Sequence, residues 1–304
     1  MPASIQPDPS LIGGVPTPPL AFLPDPDRLF ASRARRFAFL AEHDARLGPY
    51  LAFLAELTTL QARLVDELPD PDPIPTDRIA QARAHRMPPI DRDALATDEM
   101  LHRTLTALCD QAQSLDMPQP AKLALQAVLA SDLADRHWLL ENILSDRIPE
   151  DSAAPHLFAA AAVQIHMARL AATLDADALV PIRAGICPAC GGRPATSTVM
   201  AAQGIENVRY ATCACCATRW NEVRIKCLSC GSTKGISYRS VETDEAAVKA
   251  ELCSECDSWI KIMYLARNHS LDPIADDVGS LGLDLLMKDT GFSRGGVNPY
   301  LAGY

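Results

Sequence analysis

Cys187-Pro-Ala-Cys190-Gly191 and Cys227-Leu-Ser-Cys230-Gly231 decide how this chain is read. A second Cys-x-x-Cys pair follows each of them, Cys213/Cys216 after the first and Cys253/Cys256 after the second. Every cysteine of the first set recurs 40 positions later, so the two sets form an internal repeat of candidate metal ligands. Such a turn lets two thiolates and nearby amides converge on one ion, and the glycine relieves the backbone where unusual dihedrals are needed. Two turns complete a tetrahedral four-cysteine site of the zinc-ribbon kind. The repeat assigns Cys187, Cys190, Cys213 and Cys216 to one ion, and Cys227, Cys230, Cys253 and Cys256 to another. Interleaved pairing, as in cross-brace modules, is the alternative; ribbon pairing is favoured because each repeat is complete in itself. Iron and zinc both accept tetrahedral thiolates, so the expected cofactors are two metal ions, iron or zinc.

Two other uses of the cysteines compete with metal binding. A disulfide framework belongs to secreted chains. Met1-Pro-Ala-Ser-Ile-Gln-Pro-Asp has no basic start, and no apolar signal core follows it. The longest apolar stretch, Leu157 to Val163, is too short to span a bilayer. The expectation is a cytoplasmic protein without membrane insertion, where clustered thiols bind metal. Thioredoxin-like chemistry needs one Cys-x-x-Cys at a helix start, not four in tandem. A formal net charge of −10 disfavours a nucleic-acid partner. The cysteine region from Pro181 to Arg267 carries eleven Lys/Arg against eight Asp/Glu. Eight thiolates with two divalent ions bring it near neutrality, which is not a phosphate-binding surface.

The 304 residues suffice for two domains with their own cores. Residues 1–24 are Pro-rich and aperiodic, and read as a disordered or extended arm with a docking stretch at Leu20-Ala-Phe-Leu23. Asp25-Pro26 starts a helix, and Gly48-Pro49 separates it from a second that ends before Pro69. Pro69 to Pro75 reads as an extended loop. Further helices are expected over Asp77–Arg86, from Thr97-Asp98, from Pro118, from a cap at Ser131, and over Ala153–Leu174. Residues 25–180 therefore read as an all-α domain. Two ribbons follow, 181–226 and 227–267, with strands expected at 195–201, 208–212, 220–225, 235–241 and 259–265. Residues 268–304 carry one amphipathic helix stopped by Gly291, then an irregular tail. The expected fold class is α+β.

Cys109 reads as a buried small hydrophobe on a helix face. Cys215 falls between Cys213 and Cys216, and its repeat equivalent is Glu255, so it reads as a free thiol beside the first site. If exposed, it should be the thiol labelled first. Trp220 and Trp259 are expected to cover the metal turns. Arg33, Arg35 and Arg36 read as a solvated helix face. His102 and His166 show no metal-ligand spacing. No phosphate loop, nucleophile elbow or carboxylate pair stands out, so no catalytic residue is assigned.

The cysteine elements, with Cys213-x-x-Cys216-x-x-x-Trp220 and Val223-Arg-Ile-Lys-Cys227, resemble the formate dehydrogenase accessory protein FdhE family. Ala247-x-Lys249-Ala250-Glu251-x-Cys253, Lys261-Ile262, Ala275-Asp276-Asp277, Gly291-Phe-Ser-Arg294 and Asn298-Pro299 continue the likeness. Weaker likenesses lie at Leu47-Gly-Pro-Tyr50-Leu51 and Pro88-Pro89-Ile90-Asp91; Cys215 departs from the pattern. The resemblance implies rubredoxin-like metal sites in a cytoplasmic, non-catalytic maturation protein. It also implies contact with the formate dehydrogenase catalytic subunit. A homodimer is left open. The rival readings are a thiol/metal oxidoreductase using Cys215 or a redox-active iron site, and a zinc-ribbon adaptor in transcription.

Overall fold

Proline and aspartate punctuation sets the helical half. In the computed structural model, which describes residues 18–241, 243 and 245–302, strand β1 (Ala21–Phe22) precedes α1 (Pro26–His43), which has Asp25 at its N-cap and Pro26 in its first turn. Helices α2 (Gly48–Glu67), α3 (Thr76–His85), α4 (Arg92–Leu95), α5 (Glu99–Ala112), α6 (Gln119–Ala130), α7 (Leu133–Leu144) and α8 (Ala153–Ala172) follow. Asp98 caps α5 by accepting from Leu101 N–H. The cap of α7 is Asp132 rather than the expected Ser131, because the Asp132 carboxylate takes the Asp135 N–H.

Helix α8 is buried from His156 to Ala171 and packs against α1, α2, α5, α6 and α7. Its run Ala159–Ala162 lets neighbouring backbones approach closely, and the core of the helical half is built around it. Cys109 lies in that core on α5, where burial pushes its thiol up to about 12.

The cysteine region forms strands β2 (Pro194–Val199), β3 (Arg209–Cys213), β4 (Arg219–Glu222), β5 (Ile236–Arg239), β6 (Val248–Cys253) and β7 (Ser258–Tyr264). Helices α9 (Ala275–Gly279) and α10 (Leu281–Met287) and strand β8 (Ser293–Arg294) complete the chain. One sheet runs β1-β4-β3-β2-β7-β6-β5, with β8 added alongside β7. Within each half of the repeat the strands pair antiparallel. The halves join by parallel pairing of β2 with β7, with Ser197 opposite Ile262.

Several expectations need correction. Residues 1–17 of the expected arm lie outside the described residues; its docking stretch is part of the sheet, with Ala21 opposite Trp220 and Phe22 opposite Arg219. The strand β6 was not anticipated, because its charged residues Lys249 and Glu251 hide the alternation. The single C-terminal helix is two short ones meeting at Ser280, and Gly291 lies beyond them at φ +78°. The arginine cluster on α1 is not a solvated face. Arg33 is buried against Asp272 and Arg36 grips Asp276 through both nitrogens; only Arg35 keeps a local, exposed contact, to Ser32. Those carboxylates lie more than 230 residues away in sequence, so the local pattern could not show them.

Candidate metal centres

Both knuckles fold the same way for the same local reasons. In the first, Cys187 N–H donates to Gly192 O and Gly191 N–H returns to Cys187 O, at 3.0 and 2.9 Å. In the second, Cys227 N–H donates to Ser232 O and Gly231 N–H to Cys227 O, at 2.8 and 3.0 Å. Gly191 and Gly231 hold φ of +74° and +79°, the left-handed region that a Cβ disfavours. The return turns repeat too. Ala217 and Asp257, 40 residues apart, adopt φ of +60° and +48° although neither is glycine.

These turns bring the thiols together. Among the described residues, two groups of His, Cys, Asp or Glu side chains converge enough to share an ion, and both are wholly cysteine. They are Cys187, Cys190, Cys213 and Cys216, and Cys227, Cys230, Cys253 and Cys256, with all sulfurs of a group within 4.8 Å of one another. In the first, Cys187 and Cys216 sulfurs are 3.6 Å apart and Cys190 and Cys213 sulfurs 3.5 Å. The corresponding distances in the second are 3.7 and 3.8 Å. Four thiolates at such spacing suit a tetrahedral ion, and soft sulfur donors select zinc or iron over calcium or magnesium.

Amides and hydroxyls support the sulfurs. Cys215 and Cys216 N–H point at Cys213 Sγ, and Ser229 and Cys230 N–H at Cys227 Sγ. Thr218 Oγ1 lies 3.2 Å from Cys216 Sγ, and its repeat equivalent Ser258 places Oγ 3.1 Å from Cys256 Sγ. Burial opposes ionisation of Cys227, but the Cys230 and Ser229 amides and the Ser258 hydroxyl together hold its thiol at about 6. In the first group burial drives Cys187 and Cys216 well up, while hydrogen bonds from Cys187 and Cys213 hold Cys190 well down. The protein alone thus favours partial ionisation of that buried set; a divalent cation allows all four to ionise.

The first group is sealed. A Cβ at Gly191 would meet Pro88 at 3.1 Å, and one at Gly192 would meet Arg92 Nη1 at 3.0 Å and Cys213 Sγ at 3.1 Å. Ile90 N–H donates to Ala189 O inside the knuckle. Arg92 is fixed by two hydrogen bonds to Asp146. Burial works against its charge, but Cys215, Asp146 and Cys190 outweigh it, so a guanidinium stays beside the anionic centre. From the other side, Gln164 of α8 donates to Ala214 O, and Tyr300 donates to Gln164. The second group is open: Cys230 and Cys256 are exposed.

Cys215 lies outside the first four-thiol group and is only 5% exposed, so the expected preferential labelling does not follow. His102 sits against Ala96 O and His166 near Asp98; neither belongs to a thiol group. Trp220 donates to Glu222, and Trp259 lies under the Arg294 guanidinium, 5.4 Å from its ring centre. Pro88, Ile90 and Arg92 are found against the first knuckle.

Sequence reading missed two buried ionic joints. Arg209 on β3 donates to Glu251 on β6 at 2.8 Å, to Ser197 and to two backbone carbonyls, tying one ribbon to the other. Lys261 on β7 pairs with Asp277 and Asp284, which also receive Arg294, while Asn298 donates to Asp277. Isolated charges in strands gave no local signal. Their total burial requires partners, and that requirement is visible only in three dimensions.

Among the described residues no helix is long and apolar enough to cross a membrane. Three family models cover nearly the whole chain: "FdhE, N-terminal" matches residues 18–184, "FdhE, central domain" 186–224 and "FdhE, C-terminal domain" 225–301. A protein named "Protein FdhE homolog" from Rhizobium meliloti is 53% identical over 302 residues, covering 99% of this chain and 98% of that protein. "Protein FdhE" of Escherichia coli is 30% identical, covering 93% and 91%. The crystal structure of the FdhE protein from Pseudomonas aeruginosa superposes with a TM-score of 0.83 at 31% identity, covering 94% of this chain and 99% of that one. With both four-cysteine groups in place and all three family regions matched in order, this chain belongs to the FdhE family.

Proposed function

We propose that this chain is an accessory protein of formate dehydrogenase maturation, acting in the cytoplasm on the catalytic subunit without oxidising formate itself. The helical domain, residues 25–180, supplies the contact surface. The ribbons 181–226 and 227–267 each hold one iron or zinc ion, through Cys187, Cys190, Cys213 and Cys216 and through Cys227, Cys230, Cys253 and Cys256. Residues 268–302 clamp the second ribbon to the helices.

The observation that carries this reading is that both four-thiol groups are complete in a chain of this family. Four protein ligands fill a tetrahedral ion and keep no position open for substrate or water. When bound, either ion rigidifies its ribbon, and iron adds one-electron exchange. The oxidoreductase alternative rests on Cys215 or on a redox-active iron site, and the burial of Cys215 weighs against its first form.

Deleting the gene tests the reading. Formate dehydrogenase activity is expected to vanish while the catalytic subunit's transcript persists, and the purified chain is expected to retain that subunit in a pull-down. Undiminished activity in a deletion strain without a second copy would overturn the accessory role.

A further inference from the structure

Among the described residues Arg219 is a guanidinium without an ion-paired carboxylate. It lies on β4 opposite Phe22 and Thr212, with its guanidinium carbon 5.3 Å from the Phe22 ring centre. Among the described residues no hydrogen bond or ion pair reaches its side chain. Asp272 acts on it through space but is taken by Arg33 at 3.1 Å, and Asp25 faces Arg28 at 3.6 Å. Burial pulls the guanidinium below its ordinary range, the mark of a desolvated cation short of compensation. Arginine so placed, flat on an aromatic ring with its N–H fork unspent, is suited to a carboxylate.

Beside it opens a groove of about 320 Å³, where Leu23, Leu29, Ala217 and Leu271 are interspersed with Arg28, Arg33 and Arg219 and with Asp25 and Asp272. Arg28 is largely exposed and stands at the mouth. The groove is far larger than one carboxylate and part of its wall is apolar, so it fits a short stretch of chain rather than a small ion. Strand β1, which ends just before Leu23 at the groove, is the outermost strand of the sheet on that side.

We propose that this groove, between α1 and the β3–β4 turn, docks an extended acidic segment of the partner protein, with Arg219 gripping a carboxylate and the apolar walls taking the flanking side chains. The proposal rests on the maturation reading for the partner's identity. Charge complementarity sets its chemistry: of the groove's three arginines, Arg33 and Arg28 face Asp272 and Asp25, and Arg219 is the cation left over.

The experiment uses the full-length, metal-loaded chain as bait for the purified formate dehydrogenase catalytic subunit, with overlapping peptides of that subunit as a second probe. Arg219→Gln is expected to weaken capture by about tenfold or more, the loss of one charge-assisted pair, and Arg219→Glu further. Arg219→Lys should recover part of the affinity, and all variants should retain both metals and the wild-type melting temperature. Only peptides with a carboxylate beside apolar residues should bind, and only to chains with Arg219 or Lys. Equal capture by wild type and Arg219→Glu would overturn the groove and leave the maturation reading standing. No capture by wild type would overturn both. An Arg219→Glu effect that disappears on deleting residues 1–17 would assign the groove to the chain's own arm instead.

Discussion

In the first ribbon, Cys187, Cys190, Cys213 and Cys216 sit inside the same apolar core as Phe37, Leu54 and Phe158. In the second, Cys230 and Cys256 face solvent, and the local core is small: Ala250, Leu252, Trp259, Leu283 and Met287. The turn geometry is repeated nearly atom for atom, yet the surroundings are of opposite kinds. Apolar packing surrounds the first ribbon, whereas the second joins that core through Leu228 and Ile260 and is held as well by the ion pairs of Lys261, Asp277, Asp284 and Arg294. One motif can therefore serve as the keystone of a core in one copy and as a semi-independent outer module in the other.

The largest expected effect separates the two copies. Cys187→Ser with Cys190→Ser should prevent soluble folding of the whole chain, because a structural thiolate site contributes about 10–16 kcal/mol against a total stability of about 5–15. The equivalent Cys227→Ser with Cys230→Ser should leave the helical half folded with one metal bound. Soluble yield, circular dichroism and metal analysis read the difference; collapse of the second variant alone would reverse the comparison.

Kinetics should sharpen it. A chelator added to the two-metal protein should remove one ion faster than the other by about an order of magnitude or more, since buried elements open only in larger unfolding events. Alkylation during the fast phase should mark Cys230 and Cys256, and not Cys109 or Cys215. A single release rate would show that the two environments do not matter.

A smaller effect is expected in the ionic clamp. Asp277→Ala leaves Lys261 and Arg294 to share Asp284 as their remaining carboxylate and should cost about 3 kcal/mol in chemical denaturation. Burial lowers Lys261 from 10.5 to about 8 against the pull of Asp277. Between those values the unfolded chain holds the extra proton, so stability should rise as pH increases through that window, and Lys261→Met should flatten the rise. A slope unchanged in the variant would place the titration elsewhere.

The smallest effect compares matched hydroxyls. Thr218→Ala and Ser258→Ala each remove a contact to a thiolate, worth about 1 kcal/mol or less. Thr218→Ala should cost more, because Thr218 is wholly buried while Ser258 is partly solvated. Equal costs, measured by denaturation of the metal-loaded variants, would mean that burial does not amplify these contacts.

The cysteine spacing, the proline and aspartate helix starts and the 40-residue repeat are local or periodic, and such signals survive in a bare sequence. They were enough to set the eight-thiol arrangement, the helical first half and most strands. What the repeat could not carry was the difference between its copies. Pro88 with Arg92, Gln164 and Tyr300 close the first knuckle from three distant parts of the chain, and nothing in the Cys-x-x-Cys turns differs to announce it. The same holds for Arg33, Arg36, Lys261 and Arg209, whose acidic partners lie 16 to 240 residues away. A charged residue in a sequence looks solvated by default; only the tertiary structure decides which carboxylate follows it into the interior, because desolvation is a property of the whole packing and not of any segment.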